Sequence, residues 1–184
     1  NFFQTTGLNI YLPKDLISIY TENDLRLFAH YGQNYNTWEY IYQIVANPDG
    51  SSSVVRFNNA ITVPEMMLIA AECHARAGKV DEAMALINKL RFKRMLEDTH
   101  EDLVAESPAE ALSYVLDERR RELSFKGGIR LMDIKRLAND PLNRTVLNRY
   151  DAEGNVIKTI EPNSRRLIIP FTPRALIFNP NLRE

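Results

Sequence analysis

The chain has 184 residues, 45% of them hydrophobic, enough to build one or two domains with a real core. Its 23 basic and 24 acidic residues leave a net charge of -1, which gives no electrostatic case for wrapping nucleic acid or lying on an anionic membrane; a neutral ligand or a protein is the easier partner. No apolar run approaches the ~20 residues needed to span a bilayer, and no basic-apolar-small signal pattern opens the chain. The opening NFFQTTGL suggests a processed or cut chain. Cys73, the single cysteine, cannot form an internal disulfide; set inside a helical pattern, it reads as a buried, inert thiol.

Residues 1–60 are aromatic and polar, with little helical periodicity. Pro13 and Lys14 lead into DLISIYTENDLRLFAHYG, where Leu16, Ile19 and Tyr20 make one helical turn and Asn23 or Asp24 stands ready to cap another. In NYNTWEYIYQIV, Trp38, Tyr40 and Tyr42 alternate with Thr37, Glu39 and Ile41. This is a period of two in residue types that favour strands, so a strand with an aromatic face is predicted. NPDGSSS, residues 47–53, is a turn or exposed loop by composition.

The chain is organised around ITVPEMMLIAAECHARAGKVDEAMALINKLR, Ile61 to Arg91, which predicts helices over 64–77 and about 80–97. Pro64 suits a first helical position, where its missing N–H costs nothing, and Gly78 supplies the positive φ that ends a helix. Met67, Ala70, Ala71 and His74 share one face of the first helix, and Ala83, Ile87 and Leu90 share one face of the second. Small residues in this register match a tetratricopeptide repeat, whose paired helices approach closely. One such unit cannot bury its own outer face.

Lys93 to Glu106 is charged and poorly patterned, a frayed helix end followed by a loop. Ser107, Pro108 and Glu110 then supply an N-cap, a proline at the first helical position and a glutamate placed to close a capping box, predicting a third helix over 107–126. Leu112, Val115, Leu116, Arg119 and Leu123 follow one stripe of it, and Gly127-Gly128 end it. A fourth helix over 130–138 turns Leu131, Ile134 and Leu137 inward. Beyond Pro141, YDAEGNVIKTIEP predicts a hairpin and RRLIIPFTPRALIFNPNL an extended, proline-punctuated tail. The predicted class is mainly α, with tetratricopeptide-like helix pairs, irregular loops and short strands: an irregular aromatic-rich segment over 1–60, a helical core over 61–138, and a hairpin and tail over 139–184.

Charges cluster in DERRRELSFKGG, Asp117 to Gly128. Arg119, Arg120 and Arg121 invite a phosphate site, but Asp117–Arg121 and Glu122–Lys126 stand at favourable helical i,i+4 spacing, so local ion pairs are the stronger reading. Arg119 falls on the apolar stripe and needs a buried partner, which predicts a polar network of Arg119 with Glu118, Glu122 or Asp133. His30, His74 and His100 have no metal-ligand spacing, and no nucleophile elbow, phosphate-cradling loop or Cys-His pair is present. DAEGN, residues 151–155, lacks the glycine position and closing glutamate of a calcium loop and reads as a turn. No catalytic residue, cofactor or metal site is expected.

The blocks AAECHARAGKVDEAMALINKLR, ERRREL, FKGGIRLMDIKRL and IPFTPRALIFNPNL, with Asp24 and Arg26 upstream and a terminal Asn179-Pro180, resemble in order and spacing the C-terminal part of the SusD/RagB family of outer-membrane nutrient-binding lipoproteins. Glu118, Arg119, Glu122, Leu123, Gly127, Arg130, Asp133 and Arg136 match in order. Lys126, Gly128 and Leu131 depart from the family's pattern at the helix junction. The resemblance covers nearly the whole chain.

It implies a non-catalytic, surface-exposed lipoprotein of the cell outer membrane that captures a polysaccharide or oligosaccharide and passes it to a SusC-like TonB-dependent transporter. Its only membrane attachment would be a lipid anchor outside this chain, and Cys73 is not that cysteine. The alternative is a helical-repeat scaffold holding a protein or peptide partner in a groove. Any ligand contact in this chain is expected in the aromatic stretch Tyr31 to Tyr42, at Tyr35, Trp38, Tyr40 and Tyr42, whose rings suit the apolar C–H face of a pyranose. The same rings can instead pack a strand face on the helices.

Overall fold

The computed structural model describes residues 14–33, 40–42, 45–46, 52–53, 61–124, 126, 128–151, 155–168, 172–179 and 181; of the side chains between 28 and 60, and of those at 14 and 173, nothing is described. The fold is mainly α with short two-stranded pairings, as the sequence predicts. The chain divides into two compact units, Asn1–Gly127 and Gly128–Glu184.

The first unit opens with α1 (Lys14–Ile17) and α2 (Leu25–His30). Asp24 precedes α2, and its Oδ1 accepts the Arg26 backbone N–H at 3.0 Å, the capping arrangement foreseen at this position. Leu16, Tyr20 and Leu27 bury together as a small apolar cluster. Strand β1 (Tyr31–Gln33) pairs antiparallel with β2 (Tyr40–Tyr42), and β3 (Val45–Ala46) with β4 (Ser52–Ser53).

The helical hairpin follows as α3 (Val63–Arg76) and α4 (Val80–Phe92), with α5 (Pro108–Glu122) packed beside them. Pro64 sits in the first turn of α3, and Gly78 turns the chain at φ 77°. Ala71 and Ala83 are each fully buried, so no side chain holds the two helices apart. Leu68 and Ala75 of α3, Ile87 and Leu90 of α4, and Ala111, Leu112 and Val115 of α5 complete the core. Burial of such side chains is worth about 1.5–3 kcal/mol for each large one.

Two details of this hairpin differ from the sequence reading. The buried face of α3 centres on Leu68, Ala71, Glu72 and Ala75, which leaves Met67, Ala70 and His74 on its flanks and Cys73 exposed. Cys73 is therefore not a buried thiol. The cause is the breadth of apolar sequence in α3: Val63, Met66 and Ile69 are as apolar as Leu68 yet face outward. Helix α4 stops at Phe92 rather than near 97, because the following backbone is captured by the segment before α2. Leu25 N–H donates to Arg94 O at 2.8 Å, Leu96 N–H donates to Asn23 O at 2.9 Å, and Met95 bridges Asp24.

The start of α5 is close to the predicted capping box. Ser107 Oγ accepts the Glu110 N–H at 3.2 Å, while the Glu110 carboxylate takes the N–H of Glu106, one residue before the cap. In the second unit, α6 (Ile129–Arg136) is followed by the hairpin β5 (Leu147–Tyr150) and β6 (Val156–Ile160). The tail is not extended throughout: Arg165–Leu167 forms a 3-10 turn and Pro173–Phe178 a short helix, α7. Thr172 caps α7 by accepting the Ala175 N–H at 3.2 Å, and Pro173 opens it. Among the described residues no helix is long and apolar enough to cross a membrane.

Candidate functional site

Of the predicted aromatic site, Tyr35 and Trp38 lie outside the described residues. Tyr40 and Tyr42 stand on β2, opposite Gln33 and Tyr31 respectively.

The charged stretch is a buried network rather than a row of surface pairs. Glu118 is completely buried, and its carboxylate accepts from Arg26 Nη1 at 2.7 Å and from Arg121 Nε and Nη2 at 2.9 and 2.8 Å. Arg26 also holds Asp24 bidentately, Nε at 2.9 Å and Nη2 at 2.7 Å, and reaches Glu122 at 2.9 Å. Glu122 in turn accepts from Arg94 Nε and Nη2 at 2.9 and 2.7 Å. Arg91 Nη1 completes the group 3.6 Å from Glu118.

Burial is the largest influence on Glu118 and opposes its charge, yet the guanidinium groups of Arg26 and Arg121 overcome it and hold the carboxyl below its ordinary range. Arg26 behaves in mirror image: desolvation disfavours its charge, but Asp24 and Glu118 raise its pKa. Arg94 is raised chiefly by its hydrogen bonds to Glu122. Arg91, with less compensation, is lowered by burial.

The anticipated i,i+4 pairs are thus replaced. Arg121 holds Glu118 and the Ile19 carbonyl instead of Asp117, and Lys126 Nζ bonds Glu65 at 2.7 Å instead of Glu122. The reason is one of scale: an exposed helical pair contributes a few tenths of a kcal/mol, whereas a buried carboxylate without a cation costs several. Of the expected network, Glu118 and Glu122 share Arg26, Arg119 is buried in α5, and Asp133, in the second unit, accepts from Arg136 Nε at 2.7 Å. Sequence reasoning missed the central cation. Its signal was the Asp24/Arg26 spacing before a helix, which lets one guanidinium fold back on its own cap residue.

The first unit also carries an open groove of about 1040 Å³. It is lined by the last turns of α4, where Lys89, Phe92 and Lys93 share a face at i, i+3 and i+4 spacing, by Pro64 and Met67 of α3, and by His100 and Asp102 from the loop after α4. That loop is fastened by Asn88, whose amide donates to Leu103 O at 2.9 Å and accepts the Leu103 N–H at 3.0 Å.

Phe92 is 59% exposed. The His100 ring meets it edge-on at 5.6 Å, and the Lys93 ammonium lies 4.9 Å from its centroid. His100 Nε2 is 2.8 Å from Asp102 Oδ1. The lining offers an aromatic face, two flexible cations and one exposed carboxylate, the equipment of a binding surface. Among the described residues no cluster of His, Cys, Asp or Glu is arranged to hold a metal ion.

A family model described as the SusD family, SusD/RagB, matches residues 29–175. No curated protein matches the chain.

Proposed function

This chain belongs to the SusD/RagB family, and from that premise we propose that it is a non-catalytic nutrient-binding component of the outer-membrane surface whose ligand is a glycan. Membership itself implies outer-membrane nutrient or glycan binding. The finer reading is that a lipid-anchored protein containing this chain passes a polysaccharide or oligosaccharide to a SusC-like TonB-dependent transporter, using tetratricopeptide-like helix pairs as its frame. The observation that carries it is the family match over residues 29–175. The groove supports it with an exposed ring and hydrogen-bonding side chains in one concavity. The buried Arg26–Glu118 network has a structural part in this reading: its charges are engaged with one another inside the protein and fasten the start of α2 to α5.

The aromatic stretch at Tyr35, Trp38, Tyr40 and Tyr42 remains a proposed contact region. Its test is Trp38→Ala, which should weaken glycan retention without lowering the unfolding temperature. The reading as a whole is tested by native affinity electrophoresis of the intact protein through gels containing a panel of polysaccharides. Retardation by at least one of them is expected; unretarded migration through every gel overturns it.

A further inference from the structure

We propose that the groove between α3, the C-terminal turns of α4 and the His100–Asp102 loop is a binding site for an acidic oligosaccharide, one built from uronic-acid units. This rests on the glycan-binding reading above and adds to it a place and a charge. The groove's cations are not all neutralised by protein carboxylates. Arg94 at its edge is neutralised by Glu122 through two hydrogen bonds. Lys89 and Lys93 are exposed and, among the described residues, carry no ion pair, and Lys93 is turned onto the ring of Phe92. Against these two cations the lining sets one carboxylate, Asp102, which His100 already contacts. The groove therefore has a surplus of mobile positive charge beside an exposed aromatic ring.

A uronate matches that combination group by group. The C–H face of a pyranose lies on the Phe92 ring, its carboxylate lies between the two ammonium groups, and its hydroxyls can donate to the outward oxygen of Asp102. Lysine suits this task because its ammonium moves on a flexible stem, so Lys93 can leave the ring as the sugar takes its place. A neutral glycan would leave both ammonium groups without an anion. An acidic peptide would satisfy the cations but make less use of a flat ring beside an acceptor.

The test is native affinity electrophoresis of the intact protein in gels containing polygalacturonate, a neutral glucan or poly-glutamate, each at low and raised salt. Wild type should be retarded by polygalacturonate, in a salt-sensitive manner, more than by either of the others. Phe92→Ala should weaken retention by roughly two- to tenfold, the range for losing an aromatic contact, and the double variant Lys89→Gln/Lys93→Gln, which removes two charge contacts, by roughly tenfold or more. All three side chains are exposed, so the unfolding temperatures of the variants should match wild type.

Polygalacturonate retention unchanged in both variants overturns the site. Retention by the neutral glucan alone overturns the charge assignment while leaving glycan binding intact. Equal retention by poly-glutamate, undiminished in Phe92→Ala, shows charge attraction alone and also overturns the proposal. Migration unaffected by any polysaccharide removes the underlying glycan reading itself.

Discussion

Replacing Glu118 by glutamine keeps the side chain's size and removes only its charge, at a position with no solvent exposure. Glu118 takes one hydrogen bond from Arg26 and two from Arg121, with Arg91 at 3.6 Å. The substituted amide can accept on one side only, and its NH2 group then faces a guanidinium, donor against donor. One charge-assisted contact is lost, worth about 1.5–3 kcal/mol. The electrostatic cost is added to this. In this network Arg26, Arg91, Arg121 and the partly exposed Arg94 already outnumber Asp24, Glu118 and Glu122, so removing a carboxylate enlarges an existing excess of positive charge.

A loss of about 3–5 kcal/mol is expected, the range for removing one partner of a buried pair. At this chain length it corresponds to a fall of roughly 10 °C in the unfolding midpoint. The assay is thermal and urea unfolding followed by circular dichroism. Asp15→Asn is the control, since the Asp15–Arg120 pair is solvent-facing and should change stability by under about 1 kcal/mol. A Glu118→Gln variant as stable as the control would refute the view that this network holds the first unit together.

The same carboxylate sets a pH dependence. Its pKa in the folded state is lowered from 4.5, so its contribution is present above about pH 4.5 and lost as the pH falls through the lowered value. The stability gap between wild type and Glu118→Gln should therefore close in acid, and a gap constant down to pH 2 would contradict the assignment. Ala83→Leu should overpack the contact between α3 and α4 and cost about 1–3 kcal/mol in urea unfolding; wild-type stability would mean that the helices are not closely apposed. Cys73 should react stoichiometrically with a thiol reagent in the native protein, and reaction only after unfolding would show it buried.

What could be read from the sequence depended on how far apart the interacting residues lie. Pro64, Gly78, Ser107 and Pro108 act on their own backbone turn, and the helices they mark were predicted at or near their observed starts. Ala83, Ile87 and Leu90 stand out as core because α4 has a single well-defined apolar stripe, and Ala71 because a small residue in that register lets paired helices approach. Helix α3 has apolar residues on more than one face, so periodicity placed its flank in the core and Cys73 with it. Arg26 lies 92 residues from Glu118, beyond the reach of any local charge rule, and the helical pairs that such rules favour gave way to it. The groove was equally invisible: Lys89, Phe92 and Lys93 are an ordinary polar helix end until Asn88 pins the loop carrying His100 and Asp102 beside them.

Binding without transformation is the central claim, and one calorimetric titration followed by product sizing tests it most directly. Oligosaccharides cut from a polysaccharide that retains the intact protein are titrated into it, then recovered after prolonged incubation and sized. Saturable heat with the oligosaccharides recovered at their original length is the predicted result. Absence of saturable binding, or recovery of shortened chains in proportion to protein and time, would contradict the account.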